Sequence, residues 1–547
     1  MAAQVAQLIG GAGTGKTTEL LKIMDQIVDR LQDPHLIGVA SFTRAARREA
    51  SNRMADRFDL RPVELEGDGW VRTVHSACKR ILSADGLLGD GKADREWISS
   101  ALGEEVSQAT SDYIEPFESH DQPRTALRLW DLSRVRKATL AEVWAEAARC
   151  DPATPSLEYC TETIERYEIS KRLDHRCDFT DLLARFTGWR FRIEGPERVE
   201  PEGEPPDLPV WFFDEQQDAS PLMHDACLRL TQTDECQWVY VVGDPFQSIY
   251  GWSGASPHCF LDGWPVAKRR IMPKSYRCPA AMLELGERIL SSCSDYFDRG
   301  IAPADHDGIV ERWAYEDSWI QQIDPRQSWM LLCRTNYLAA RLAKQLDAAG
   351  IPWVPIHGAG TWTAPVRSEA TKAMLSLQAG APIDGREWQS ILKQIPSKCP
   401  EGELLVRGTK TRFDELTAEQ AQEAHPLVFL DELSELGATE LLRQQIAAGN
   451  WRRWIEHAQQ FADAIDRWGL DAVEQPQVRV GTIHSAKGAE ADNVAVLTTL
   501  TTPCWVAAQT PAGRDEEQRV AYVAATRGRR RLLLLSERGV RYRKRYD

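Results

Sequence analysis

Residues 10–17 read GGAGTGKT and follow directly on the short apolar run MAAQVAQLI. A loop of this kind is delivered by a strand and received by a helix, so its presence calls for an α/β arrangement around it. Glycines 10, 11, 13 and 15 let the backbone curl until its N–H groups converge, forming an anion nest at a helix N-terminus. The expectation is a triphosphate site built from Gly13, Thr14, Gly15, Lys16, Thr17 and Thr18. In it Lys16 reaches the β/γ-phosphates and the Thr17 hydroxyl ligates Mg²⁺. The rival reading is a glycine-rich turn that binds nothing.

A second feature weighs against that rival. PVWFFDEQQD (209–218) places Val210 to Phe213 in a buried strand, with Asp214 and Glu215 emerging at its C-terminal end. Ligands of open α/β sheets sit at that edge. Asp214 is expected to hold the magnesium shell, and Glu215 to orient and polarise the attacking water. Alone, the acidic run reads equally well as a solvated turn. Beside the phosphate loop it implies nucleotide hydrolysis.

The bulk numbers bound the class. A chain of 547 residues leads one to expect three to four domains, and 43% hydrophobic with 27% charged residues is ordinary for a globular protein. No apolar run reaches the length of a membrane span, and the start has no basic region of the signal-peptide type, so no membrane association is expected. The twelve cysteines form no CxxC pair, which argues against zinc, iron–sulfur or disulfide frameworks and for a reducing cytoplasm. A net charge of −15 is unusual for a nucleic-acid binder, which needs only a locally basic surface. Such clusters exist at Arg44, Arg47 and Arg48, at Lys268 to Arg270, at Arg527 to Arg531 and in the tail RYRKRYD. The nineteen tryptophans supply stacking surfaces, although most are expected in the core.

Strand-like runs alternate with amphipathic helices: 36–44, 237–244, 329–336, 478–488, 493–499 and 530–536 are the clearest strands. Two stretches, 81–176 and 366–470, are mostly helical, and the proline-rich 194–210 reads as an exposed loop. The expected fold is α/β: two parallel-sheet cores, each with a mostly helical insertion. The first core takes 1–80 and 175–272 with insertion 81–174, and the second takes 273–365 and 471–547 with a shortened insertion 366–470. A second core without its own phosphate loop implies a nucleotide held between the two.

Further segments follow in a fixed order. They are ASFTRAARREA (40–50), TVHSACKRIL (73–82), GDPFQSIYGWSGA (243–255), KSYRCP (274–279), LLCRTNYLAARL (331–342), TIHSAKGAEADNV (482–494) and EEQRVAYVAATRGRRRL (516–532). With the phosphate loop and DEQQD, the set resembles a superfamily 1A DNA helicase of the UvrD/Rep type, over residues 10 to 535. The resemblance implies an ATP- and Mg²⁺-dependent motor that walks 3′ to 5′ on single-stranded DNA and unwinds 3′-tailed duplexes in replication, repair or recombination. It implies a cytoplasmic protein of a prokaryotic, or virus-infected prokaryotic, cell.

The resemblance also implies roles for single residues. Gln247 senses the γ-phosphate, Arg277 and Arg527 act as arginine fingers, Tyr276 stacks on adenine, and Glu490 contacts ribose or triphosphate. Phe42, Tyr250 and Trp252 form a base-stacking track, with His75, Asn336 and His484 near it. Each has a plainer alternative. Phe42 and Trp252 also suit core packing, Tyr276 an inter-domain contact, the arginines structural ion pairs, and the two histidines and Asn336 satisfied buried positions.

Three departures from the family pattern carry expectations of their own. Only nine residues precede Gly10, so Gln4 and Gln7 cannot read adenine as a more distant glutamine would, and looser base selectivity is expected. Ser253 stands where the family has an arginine, removing one cation from the track. The insertion 366–470 is short and the chain ends about twenty residues after Arg527, so weak unwinding without an accessory or nuclease partner is expected. A DNA-stimulated ATPase switch within a larger nuclease or defence complex is therefore the alternative function. A small-molecule kinase fits poorly with two helical insertions and an aromatic track.

Overall fold

The computed structural model describes residues 3–41, 44–67, 69–89, 91–107, 121–315, 317–358, 362 and 365–537. Phe42 and the basic tail lie outside the described residues. The chain divides into two compact units, one of residues 1–312, 486–490 and 498–547, the other of residues 313–485 and 491–497.

The first unit is built on a six-stranded sheet: β1 (Gln4–Ile9), β2 (Ile37–Ser41), β3 (Trp70–Thr73), β4 (Val210–Phe213), β5 (Trp238–Gly243) and β6 (Val266–Ile271). Their order is β3-β2-β4-β5-β1-β6, and every pairing is parallel. Parallel sheets are covered on both faces, and the central strands are accordingly apolar throughout. All residues of β2 and β4 are buried. Trp211 stacks on Phe213 at 5.6 Å and Phe212 on Tyr240 at 5.0 Å, so the strand covers both faces of the sheet with rings. Gly38 is required there, since a Cβ would lie 2.4 Å from the Trp211 ring. Each such buried side chain contributes about 1.5–3 kcal/mol, against about 0–1 kcal/mol for an exposed ion pair, so apolar burial sets the sheet. The edge strand β6 (VAKRRI) is exposed and charged along most of its length, which blocks edge-to-edge pairing.

The helix after the phosphate loop (Lys16–Leu31) buries Leu20, Met24 and Val28, an i, i+4, i+8 stripe, against this sheet's core. A helical region follows β3, with a core of its own around Leu129, Trp130, Leu140, Ile164 and Tyr167. Within it, Arg134 and Lys171 are buried and bonded to Asp178 and Asp181, whose reciprocal side-chain and backbone bonds also cap the helix Phe179–Thr187.

A second six-stranded sheet comprises β7 (Ile309–Ala314), β8 (Trp329–Cys333), β9 (Val354–Pro355), β10 (Val478–Thr482), β11 (Ala491–Leu497) and β12 (Gly528–Ser536), in the order β9-β10-β8-β11-β12-β7. In the second unit β8 pairs in parallel with β10 and β11, and β10 with β9. Two parallel sheets flanked by helices make the α/β fold with two RecA-like cores that the sequence leads one to expect. Between Ala370 and Ala458 the second unit holds a separate helical core around Trp388, Leu442 and Trp451. Among the described residues, no helix is long and apolar enough to cross a membrane.

Candidate nucleotide site and its surroundings

Strand order does the first part of the work. β4, β5 and β1 are consecutive neighbours, so Asp214–Glu215, Gly243–Asp244 and the loop from Gly10 all leave the same C-terminal edge of the sheet. The Gly10 N–H donates to the Gly243 carbonyl at 3.0 Å, tying loop to neighbour.

The loop is wound tightly. A Cβ at Gly10 would lie 2.5 Å from Lys16 Cγ and 2.6 Å from Thr14 Oγ1. At Gly13 (φ +69°) it would lie 2.3 Å from the Arg277 Cβ. Gly15 caps the helix in the left-handed region, at φ 78°. Thr14 Oγ1 donates to the Gly11 carbonyl at 3.0 Å, and Lys16 Nζ to the Gly10 carbonyl at 3.2 Å. Thr17 is half-buried and Thr18 exposed at the start of the helix. This is a cradle of N–H groups with one ammonium above it, and that donor set suits a phosphate.

Residues 275–277 lie against this cradle. Ser275 Oγ donates to the Ala12 carbonyl at 2.8 Å, and the Tyr276 N–H to the Gly13 carbonyl at 2.8 Å. The Tyr276 ring stands about 3.9 Å from the Cβ position of Gly15 and is 71% exposed, a platform beside the loop. Arg277 Nε donates to Glu490 at 2.5 Å, and Arg529 also pairs with that carboxylate. Burial works to raise Glu490, but Arg277 and Arg529 outweigh it and hold the acid below its ordinary range.

Asp214 is buried and accepts from the Glu215 N–H at 2.9 Å. Glu215 is a non-glycine residue in the left-handed region (φ 52°), a conformation costing roughly 1–3 kcal/mol and found where surroundings dictate it. Burial acts to raise its carboxyl. The charges of Lys16 and Lys487, a bond from Gln217 and the charge of Arg527 prevail, so its pKa is lowered and the carboxylate stays ionised at neutral pH.

Gln247 lies beneath them. Its Nε2 donates to Asp244 at 2.7 Å, its Oε1 accepts from Arg527 Nη2 at 3.1 Å, and its carbonyl accepts from Lys487 Nζ at 2.6 Å. Arg527 is 1% exposed and also donates through Nε to the Val523 carbonyl at 3.0 Å. Burial and the nearby Arg277 lower its pKa to about 10, which leaves it charged at neutral pH.

Several further side chains complete this cluster without a role assigned from the motifs. Gln217 donates to Glu215, accepts the Asp244 N–H at 3.0 Å and takes the Ser248 hydroxyl on its carbonyl at 2.7 Å. Lys487 pairs with Asp218, the last residue of DEQQD. Both were legible in principle, since each lies inside a quoted motif.

The residues assigned to DNA divide between the units. In the first, Tyr250 and Trp252 are half-buried and meet edge to face at 6.3 Å, with Lys487 Nζ 4.9 Å over Tyr250 and Arg128 5.8 Å over Trp252. Arg136 anchors the same turn through the Gly251 carbonyl at 2.8 Å. His75 packs edge to face on Phe179 at 5.6 Å, and its burial lowers its pKa to about 4. In the second unit, Asn336 opens the helix Asn336–Ala348 behind the cap Thr335, and His484 is 2% exposed just beyond β10.

Residues 2–263 match the UvrD/REP helicase N-terminal domain, and residues 455–538 match the UvrD-like helicase C-terminal domain. The chain belongs to the UvrD-like helicase family. Its relatives include an ATP-dependent DNA helicase PcrA of Leuconostoc citreum, 28% identical over 52% of this chain and 37% of the relative. A putative ATP-dependent DNA helicase YjcD of Bacillus subtilis is 22% identical over 64% of this chain and 47% of its own length. The RecBCD enzyme subunit RecB of Mycobacterium tuberculosis is 24% identical over 47% of this chain and 23% of the relative. The chain thus spans about half or less of the curated relatives it matches.

A second cluster of charges lies in the helical region of the first unit. Among the described residues, Glu168, Asp178 and Asp181 are the one trio of carboxylates close enough to share a cation. Lys171 Nζ already sits among them at 2.9, 2.8 and 2.7 Å. Its ammonium fills the role an ion would take, and the cluster is a structural network of the helical region.

Proposed function

We propose that this chain is an ATP-dependent single-stranded-DNA translocase and 3′–5′ DNA helicase acting in DNA replication, repair or recombination. The observation that carries the reading is the setting of Glu215, a half-buried carboxylate held in a left-handed turn at the C-terminal edge of the sheet, bonded by Gln217 and kept ionised by Lys16, Lys487 and Arg527. A base poised beside a phosphate cradle and a buried arginine is equipment for hydrolysis rather than for storage of a nucleotide.

In this reading the loop residues Gly13 to Thr18 hold the triphosphate, with Tyr276 and Glu490 flanking it. Thr17 and Asp214 would hold Mg²⁺, which neutralises phosphate charge when bound. Glu215 takes the proton of the attacking water, Gln247 and Arg527 sense the γ-phosphate, and Arg277 leaves Glu490 to serve as the second finger. Tyr250 and Trp252, with Phe42, His75, Asn336 and His484, grip single-stranded DNA by stacking and polar contact, at about 1–3 kcal/mol per stacked base. The proposal divides the chain into four parts, a first core of 1–80 and 175–272 with insertion 81–174 and a second core of 273–365 and 471–547 with insertion 366–470.

Strand displacement on 3′-tailed and 5′-tailed duplexes, with ATPase measured with and without single-stranded DNA, tests it. Displacement of the 3′-tailed substrate alone is expected, and Lys16→Ala should abolish it together with hydrolysis. Displacement of the 5′-tailed substrate alone would overturn the polarity. The second reading, an ATPase subunit of a larger complex, is favoured by the relative named as a RecBCD subunit. Stimulated hydrolysis with no displacement on either duplex would select it.

Asp218 gives the reaction a pH signature. Burial raises its carboxyl, Lys487 opposes this, Glu215 adds to it, and the pKa settles at about 6. A carboxyl raised above its unfolded value of 3.8 holds a proton in the fold between pH 4 and 6 that the unfolded chain releases, so this group alone opposes stability as pH rises. For activity the sign is opposite: below about pH 6 the partner of Lys487 is neutralised and the tie to Gln247 loosens. ATP turnover is expected to fall with an apparent pKa near 6, and Asp218→Asn should flatten that limb at a reduced rate. An unchanged acid limb in the variant removes Asp218 from the mechanism.

A further inference from the structure

Arg299 lies in SDYFDRG, a stretch outside every motif quoted above, yet its side chain is fully buried. Its Nη1 donates to Asp244 Oδ1 at 2.8 Å, and its Nη2 donates to Glu287. The guanidinium lies 4.8 Å from the Phe246 ring centre and 5.2 Å from that of Tyr522. A buried arginine is costly unless its charge is compensated, and here two carboxylates and two rings compensate it, while Nε has no hydrogen-bond partner.

Asp244 shows what the arrangement holds in place. Its Oδ1 accepts from Arg299 and from the Phe246 N–H at 3.2 Å. Its Oδ2 accepts from Gln247 Nε2 at 2.7 Å and from the Tyr522 hydroxyl at 3.3 Å. Four donors on two oxygens fix the carboxylate. Because the Gln247 amide nitrogen is committed to Asp244, its oxygen is the end presented to Arg527. Tyr522 carries the chain of bonds in the other direction, for its hydroxyl accepts the Ala12 N–H of the phosphate loop at 3.1 Å. A Cβ at Gly11 would fall 3.3 Å from Arg299 Nη1 and 3.5 Å from that hydroxyl, so loop and network are in direct contact.

We infer that Arg299 is a positioning residue: it locks Asp244, and with Tyr522 links the phosphate loop to Gln247 and Arg527, so that the loop's position sets how the γ-phosphate-sensing pair is presented. This rests on the hydrolysis proposed above. Lysine at 299 keeps one charge but loses the fork that reaches Asp244 and Glu287 together. A role confined to stability would lower the melting temperature and leave turnover per folded molecule intact. A positioning role lowers kcat while KM for ATP stays near that of the parent.

The experiment uses the full chain with ATP and single-stranded DNA, and compares the parent, Arg299→Lys and Tyr522→Phe, with folding checked by circular dichroism. The expected result is a fall in kcat of at least fivefold in each variant, with KM within threefold. A folded Arg299→Lys whose kcat falls less than fivefold overturns the inference. Where Arg299→Lys does not fold, Tyr522→Phe decides alone at the same threshold, since it removes a single hydroxyl. A parent that hydrolyses no ATP under any condition defeats the proposed function itself, which is a different outcome from an active parent with unaffected variants.

Discussion

Glu215→Gln is expected to lower ATP turnover by about 10²–10⁴-fold, the range for loss of a positioned general base, with nucleotide affinity nearly unchanged. Glutamine matches the carboxylate in shape and can still accept from Gln217, so the left-handed turn at φ 52° and the tie to Asp244 are kept. What it cannot do is take a proton. Because the pKa of Glu215 is lowered in the fold, its ionised form contributes stability above the unfolded value of 4.5, and that contribution fades as pH falls. The variant should therefore be slightly less stable at neutral pH, with Lys16 and Lys487 losing part of their compensation. Single-turnover hydrolysis beside titration with a fluorescent ATP analogue separates chemistry from binding. A variant retaining a tenth or more of the parent's rate would take the base role away from Glu215.

The loop, the acidic strand and the order of the motifs were legible because their chemistry needs particular residues at fixed spacing. GGAGTGKT does so through backbone space: the Cβ positions at Gly10 and Gly13 are blocked. The inner strands were legible through burial on both faces, as in VWFF (210–213). The edge strands were not. Trp70–Thr73 and Val266–Ile271 have one partner each, carry arginine or lysine, and lack the apolar run by which an inner strand announces itself. Nor did the sequence disclose the hairpin Trp189–Arg192 with Gly195–Arg198, whose alternating half-exposed residues resemble a charged loop. Arg299 was hidden for another reason. Its partners lie 55 and 12 residues away at Asp244 and Glu287, and nothing in the local string DYFDRG marks a buried charge. Long-range pairing of single residues is a property of the fold, and a motif reveals it only where the motif contains both partners.

The second large effect is expected at Arg527. An arginine that stabilises charge on a phosphoryl group in transit contributes about 10³–10⁵ in rate, so Arg527→Ala should leave turnover near the unassisted level. The side chain is charged at working pH, since its lowered pKa of about 10 lies well above neutrality, and Gln247 holds it from one side at 3.1 Å. Removal has a structural cost as well. Gln247 Oε1 loses its bond from Arg527 in a buried setting, at about 1–3 kcal/mol for a group left unsatisfied, while the Val523 carbonyl keeps the bond from the Thr526 hydroxyl. Arg527→Lys separates the two effects. It keeps a charge and refills much of the volume, so stability should recover toward the parent, yet one ammonium cannot reach Gln247 and a phosphate oxygen together as a planar fork can. The expected pattern is a turnover loss of at least about 10³-fold in the alanine variant, with most of it persisting in the folded lysine variant and ATP affinity changed only a few-fold in both. Recovery of turnover in step with stability would mean that Arg527 acts through packing alone. Persistence of the loss in the well-folded lysine variant locates the effect in the geometry of the guanidinium, the one property that lysine at this position does not supply.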